Sequence, residues 1–278
     1  MIRFCRRVFG AFMIMSFWAV SLVAQPKRAL VIGLGQQEDV TWGKINGDKD
    51  VPYVTDMLTK VGYQDIHVLI NSQATKDRII SAFGELAERC AKGDIVYIHF
   101  SGHGQLMTDV NGDEDDGLDE AWIPYDAYRA YSESYKGEKH LVDDEVNGLL
   151  VKIKDQIGDD GRLLVVVDAC HSGDSSRGED ETVRGVDDDF VIPVKKKIKT
   201  KKATERWLTL SACQDFQINQ EIRKPQVGKL TYALYKAIEE GKVSFEKIEA
   251  FMERYRVNLP QNPVLTGEKE KYGLSDFF

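Results

Sequence analysis

Arg162–Gly173 reads RLLVVVDACHSG, and the rest of the chain is organised around it. Arg162–Val167 holds five apolar residues, three of them consecutive valines. A continuous apolar run of this length predicts a strand buried on both faces, as in a parallel sheet. It ends directly in Asp168, Ala169, Cys170, His171, Ser172 and Gly173. In open α/β sheets, ligands bind just beyond the carboxyl ends of the strands, and Cys170 falls there. By itself a free cysteine is most often a small buried hydrophobe, and the stretch alone would be read so.

A second stretch changes that reading. Asp94–Phe100 (DIVYIHF) predicts another buried strand, and it ends in Ser101-Gly102-His103-Gly104. Parallel neighbouring strands would set His103 and Cys170 side by side at one rim. A thiol needs an adjacent base or cation to react as a thiolate near neutral pH. Glycines on both sides of His103 allow the backbone close to a bound substrate.

His99–Gly104 (HFSGHG) and Asp168–Gly173 (DACHSG) resemble the histidine and cysteine blocks of caspase-like cysteine peptidases, clan CD. The likeness is nearest to type I metacaspases and their bacterial relatives, and runs from Ala29 to about Leu265. It implies a caspase-like three-layer α/β/α sandwich around a mostly parallel, roughly six-stranded sheet.

The chain has 278 residues, 42% hydrophobic and 29% charged, enough for one sizeable core. Arg3, Arg6 and Arg7 precede the apolar run Val8–Val23, with Ala24-Gln25 as a cleavage point, so residues 1–24 are expected to be a signal peptide. An uncleaved anchor is the second reading, since the run is short for a span. Loss of three arginines and no acid takes the net charge from −8 to −11, which disfavours nucleic-acid binding. A secreted or periplasmic protein with no stable membrane span is expected. It keeps Cys90, Cys170 and Cys213, an odd number pointing to a free reactive thiol, with a Cys90–Cys213 disulfide left open.

Arg28–Leu34 reads as the first buried strand, Asn46–Lys60 as a helix, Asp65–Ile70 as a strand and Thr75–Cys90 as a helix. This alternation argues a mostly parallel sheet with helices on both faces. Asp109–Asp126 gathers Asp109, Asp113, Glu114, Asp115, Asp116, Asp119 and Glu120 into what reads as one acidic loop. It fails as an EF-hand, because Glu114 stands where glycine is required. The family resemblance implies calcium there, with Asp119, Asp143 and Asp144 as ligands. Arg177 occupies the position where a further acid would be expected, between Asp174 and Asp180. Glu145–Ile157 is an amphipathic helix.

Residues 25–278 are read as a single caspase-like domain. Residues 25–174 form a large-subunit-like part, 175–205 a charged, exposed linker open to proteolysis, and 206–278 a small-subunit-like part. Trp207–Leu210 reads as a buried strand, Leu230–Glu240 and Phe245–Tyr255 as amphipathic helices. Ser211–Asp215 and Gln261–Pro263 resemble the family's closing motifs.

The resemblance implies peptide hydrolysis through a thioester: Cys170 as nucleophile, His103 as general acid and base, and the N–H groups of Gly104 and Cys170 as the oxyanion hole. No third side chain orienting His103 is evident. Asp168, Asp50, Ser101 and Asp215 are expected to line the substrate pocket. Such an anionic pocket selects arginine or lysine before the scissile bond. Arg177, Arg184 and Lys195–Lys202 are then self-cleavage candidates in a zymogen. A catalytically silent caspase-fold binding or regulatory module is the alternative. A calcium-binding surface protein with a coincidental Cys170 and His103 is the third reading.

Overall fold

The computed structural model describes residues 25–112, 114, 116–169, 184, 188–193, 205–214, 217–255 and 260–278. The expected signal peptide, and Cys170, Asp174, Arg177, Asp180, Lys195–Lys202 and Asp215, lie outside the described residues.

β1 (Lys27–Gly33), α1 (Gly47–Lys60), β2 (Asp65–Ile70), α2 (Lys76–Arg89) and β3 (Ile95–Ser101) alternate along the chain. β4 (Gly104–Thr108), β5 (Leu118–Trp122) and β6 (Leu141–Val142) follow, then α3 (Asp143–Ile157) and β7 (Arg162–Asp168). β8 (Leu208–Ser211), the short β9 (Glu221–Ile222) and β10 (Val227–Gly228), α4 (Lys229–Glu239), α5 (Phe245–Arg254) and β11 (Val264–Gly267) complete the order. Six strands form one sheet, β11-β8-β7-β3-β1-β2. All its pairings are parallel except β8 with β11.

Side chains alternate across a strand, so each buried run feeds two cores at once. Leu163, Val165 and Val167 of β7 face α2 and α3, against Phe83, Leu150 and Ile153. Leu164 and Val166 face α1, α4 and α5, against Val54, Leu234 and Ile248. The expected three-layer sandwich is what these faces build. Truncating one such leucine to alanine would cost about 2–5 kcal/mol.

Two local readings needed correction. Leu118–Trp122 was expected inside an acidic loop; it is strand β5, paired with β4 in a second, three-stranded sheet β4-β5-β6. Its alternation is hidden by Asp119 and Glu120, which sit within the strand. The stretch expected as an exposed linker contributes two fully buried residues, Arg184 and Phe190. Phe190 lies beside β4, where its N–H donates to Leu106 O at 2.8 Å and its carbonyl accepts from Thr108 N at 3.0 Å. Cys90 and Cys213 are buried free thiols, so the disulfide left open by the sequence is not formed. No described helix is long and apolar enough to cross a membrane.

Candidate active site

The β3–β7 register pairs Ser101 with Asp168. Two parallel strands therefore deliver the chain to His103 and to Ala169 at the same rim of the sheet. Cys170 is the next residue in sequence and lies outside the described residues.

His103 is 2% exposed. Its Nε2 lies 2.7 Å from the carbonyl of Gly43, so Nε2 carries the proton and donates it. The Trp42 ring lies 5.2 Å from the imidazole, tilted by 31°, and Trp42 Nε1 donates to Ala127 O at 3.0 Å. Nδ1 is buried and has no hydrogen-bond partner among the described residues. Burial, aided by the charges of Arg184 and Arg129, pushes the imidazole down to about 4 against the Gly43 bond. The ring is thus neutral at neutral pH, with an unprotonated Nδ1 able to take a proton. The orienting group that no side chain in the sequence suggested is a backbone carbonyl. Gly104, which follows, opens β4.

A buried acidic pocket adjoins this rim. The first turns of α1 reach it because Gly47 sits against the ends of β1 and β3. A Cβ at Gly47 would lie 2.6 Å from Ser101 O. This approach carries Asp50 inside, where it is fully buried. Asp50 Oδ1 accepts from Gly228 N at 2.8 Å, and Oδ2 accepts from Ser101 Oγ at 2.7 Å and lies 3.2 Å from Thr231 Oγ1. Asp168 Oδ1 accepts from Asn219 Nδ2 at 2.8 Å; Oδ2 accepts from Thr231 N at 2.9 Å and Thr231 Oγ1 at 2.7 Å. Behind Ser101, His99 Nε2 donates to Ser101 Oγ at 2.9 Å and Nδ1 accepts from Tyr97 Oη at 2.9 Å.

Arg184 fills this pocket. Its Nη1 lies 2.7 Å from Asp50 Oδ2 and 3.3 Å from Asp168 Oδ1, and donates to Asp168 O at 3.0 Å. Its Nε donates to Glu221 Oε1 at 2.9 Å. Burial pushes the Asp50 carboxyl up to about 6, with the like charge of Asp168 adding to it and Arg184 opposing it. Burial also acts to raise Asp168, but the Arg184 charge and the bonds from Thr231 and Asn219 outweigh it and hold that carboxyl below its ordinary value.

Of the residues expected in the pocket, Asp168, Asp50 and Ser101 come together. Asn219, Glu221 and Thr231 were not anticipated; no local pattern marks them, since each arrives by tertiary packing. Gln261, in the closing Gln261–Pro263 segment, supports Asn219 by donating to its Oδ1 at 2.7 Å.

The residues expected as calcium ligands stand on adjoining elements: the β5–β6 register pairs Ala121 with Val142, the residue before Asp143. Asp119 lies in β5 while Asp143 and Asp144 open α3, and Asn111 donates to Asp144. Among the described residues no three His, Cys, Asp or Glu side chains gather closely enough to hold a metal ion. Cys90 is no competing nucleophile: burial pushes its thiol up to about 11.

A six-stranded, mostly parallel sheet between two helical layers, with a histidine and an acidic pocket at its carboxyl rim, defines a caspase-like protein. The family described as "Metacaspase, peptidase C14 domain" matches residues 27–176, and the chain belongs to that family. It is 32% identical over 155 residues to Metacaspase-1A of Aspergillus niger, covering 53% of this chain and 36% of that one. It is 34% identical over 158 residues to Metacaspase-1A of Neurospora crassa, covering 53% and 32%. The chain thus spans about a third of the length of these curated relatives. A Geobacter sulfurreducens protein of solved structure superposes with a TM-score of 0.65 at 26% identity, over 91% of this chain and 98% of that one. Caspase-1 from Spodoptera frugiperda shares the fold, with a TM-score of 0.57 at 11% identity over 87% and 86%.

Proposed function

We propose that this chain is a cysteine endopeptidase that cuts after arginine or lysine through a Cys170–His103 dyad. The observation that carries the reading is the Arg184 guanidinium seated between the Asp50 and Asp168 carboxylates. A buried carboxylate pair requires a cationic partner, and a substrate side chain of the same charge meets that requirement.

In the proposed cycle, His103 Nδ1 takes the thiol proton of Cys170, and the thiolate attacks the scissile carbonyl carbon. The N–H groups of Gly104 and Cys170 stabilise the oxyanion. Its collapse breaks the C–N bond, and His103 returns the proton to the departing amine. Water then hydrolyses the thioester, with His103 accepting its proton, and releases the new carboxyl end and the free thiol.

Arg184 is the favoured self-processing position in the 175–205 segment, because it already occupies the pocket. Export through the 1–24 segment belongs to the proposal on its sequence pattern. Calcium activation rests on the family resemblance alone, and the ion takes no part in bond making.

The test is cleavage of short fluorogenic peptides ending in Arg or Lys, with and without calcium, by wild type, Cys170→Ala and His103→Ala. Turnover in wild type alone supports the reading. Peptide binding without turnover in any form would favour a silent binding module.

A further inference from the structure

We infer that Glu221 makes this pocket selective for arginine over lysine, with Asn46 as the residue that positions it; the inference deepens the peptidase reading and rests on it. Arg184 is the chain's own arginine and stands in for a substrate side chain. Its two ends are read by different groups. Nη1 meets Asp50 and Asp168 at the floor, whereas Nε donates to Glu221 Oε1 at 2.9 Å.

The Nε contact is the discriminating one. At that depth a lysine presents its last methylene, which donates nothing. Its ammonium falls at the level of the guanidinium carbon, one bond short of the place Nη1 takes. Lysine would therefore leave the inner oxygen of Glu221 facing a methylene and would reach the floor carboxylates less closely. Arginine's planar fork satisfies both.

Glu221 is built for this task. Its side chain is 2% exposed and the Arg184 side chain 0%. Asn46 N donates to Oε1 at 2.6 Å and Asn46 Nδ2 donates to Oε2, so the carboxylate is oriented before any ligand arrives. The β9–β10 register pairs Glu221 with Gly228, whose N–H holds Asp50. One short hairpin thus links the Nε reader to the floor of the pocket. A Cβ at Gly228 would collide with the Asp168 carboxylate and the Arg184 guanidinium, so the hairpin closes over the side chain with no room to spare.

A hydrogen bond to a charged group contributes about 1.5–3 kcal/mol, which converts to a preference of about tenfold to about a hundredfold. The experiment is equilibrium binding of matched Arg- and Lys-ended peptides to Cys170→Ala protein, with and without Glu221→Gln, alongside kcat/KM in the active enzyme. Arg184 competes equally with both peptides, so the ratio reads the pocket. Arginine should be preferred by that factor. Glu221→Gln should lower arginine binding to about the lysine level while lysine binding stays within about threefold, and the kinetic loss should appear in KM. Asn46→Ala should shift the ratio the same way by less. Equal or lysine-favouring binding in the unsubstituted pocket overturns the inference, whatever the variants do, and so does a ratio unchanged by Glu221→Gln. If wild type turns over neither peptide, the peptidase reading fails, and the binding ratio still decides the role of Glu221.

Discussion

Arg184 Nη1 stands 2.7 Å from Asp50 Oδ2, and neither side chain has any exposed surface. The two residues are 134 positions apart in the chain. Together with Asp168 and Glu221 they form a buried cluster of three carboxylates around one guanidinium.

Removing that guanidinium should be costly. Breaking a buried ion pair from one side leaves an uncompensated charge, at about 3–5 kcal/mol. Arg184→Ala, made in Cys170→Ala protein to prevent processing, should lower the urea midpoint accordingly. A midpoint unchanged from the parent would show that Arg184 is not the counter-ion of the cluster.

The pH dependence of turnover should follow Asp50. Its carboxyl is pushed up to about 6 by burial first and Asp168 second. Above that pH it is ionised and the pocket binds a cation; below it the carboxyl is neutral and affinity drops. For arginine peptides kcat/KM should fall on acidification from about pH 6 or above, through KM, because a pocket vacated by Arg184 lacks the charge that opposes the rise. His103, pushed down to about 4, should add a kcat limb only at lower pH. Asp50→Asn should weaken binding and abolish the KM limb.

Stability should also fall on mild acidification. His99, His103 and His140 are each pushed down to about 4, in every case first by burial. The unfolded chain binds protons at these sites from about 6.5 downwards. Between 6.5 and 4 the unfolded state therefore holds more protons, and stability drops with pH. The loss is on the order of 1–2 kcal/mol per histidine by pH 5. His140 donates to Gln105 Oε1 at 2.8 Å. Urea titrations of His140→Gln from pH 7 to 5 should show a shallower loss than wild type, and an equal loss would refute the assignment.

Trp42→Ala should lower kcat far more than it raises KM. The ring lies against His103, and its neighbour Gly43 supplies the carbonyl that fixes the imidazole. General acid and base catalysis contributes about 10²–10⁴-fold, and a misoriented ring should forfeit a measurable part of it. Single-turnover rates would separate this from weaker binding.

Gly47→Ala should destabilise the fold and the pocket together. The added Cβ would meet Ser101 O at 2.6 Å, and that backbone cannot yield without moving β3. Overpacking of this kind costs about 1–3 kcal/mol. Urea unfolding and arginine-peptide KM should shift in parallel.

The sheet was legible because β3 and β7 are unbroken apolar runs, Asp168 was legible from its place two residues before Cys170, and Asp50 only through the family resemblance. The burial of Arg184 was not. A charged stretch reads as solvated, and only the folded chain brings Asp50, Asp168 and Glu221 to meet that charge. β5 was missed for a related reason: Asp119 and Glu120 give it the composition of a loop while its backbone pairs with β4. The carbonyl of Gly43 leaves no trace in sequence, because any residue has one.

The pocket has two owners. His103, Asp50 and Asp168 come before the 175–205 segment; Asn219, Glu221, Gly228 and Thr231 come after it. The parallel β7–β8 ladder joins those halves inside the sheet, Leu164 beside Leu208 through Val167 beside Ser211. A nick between them would sever the covalent thread but none of the ladder. The cut protein should therefore migrate as two bands under denaturing conditions and as one particle in native buffer, with its arginine slot still whole.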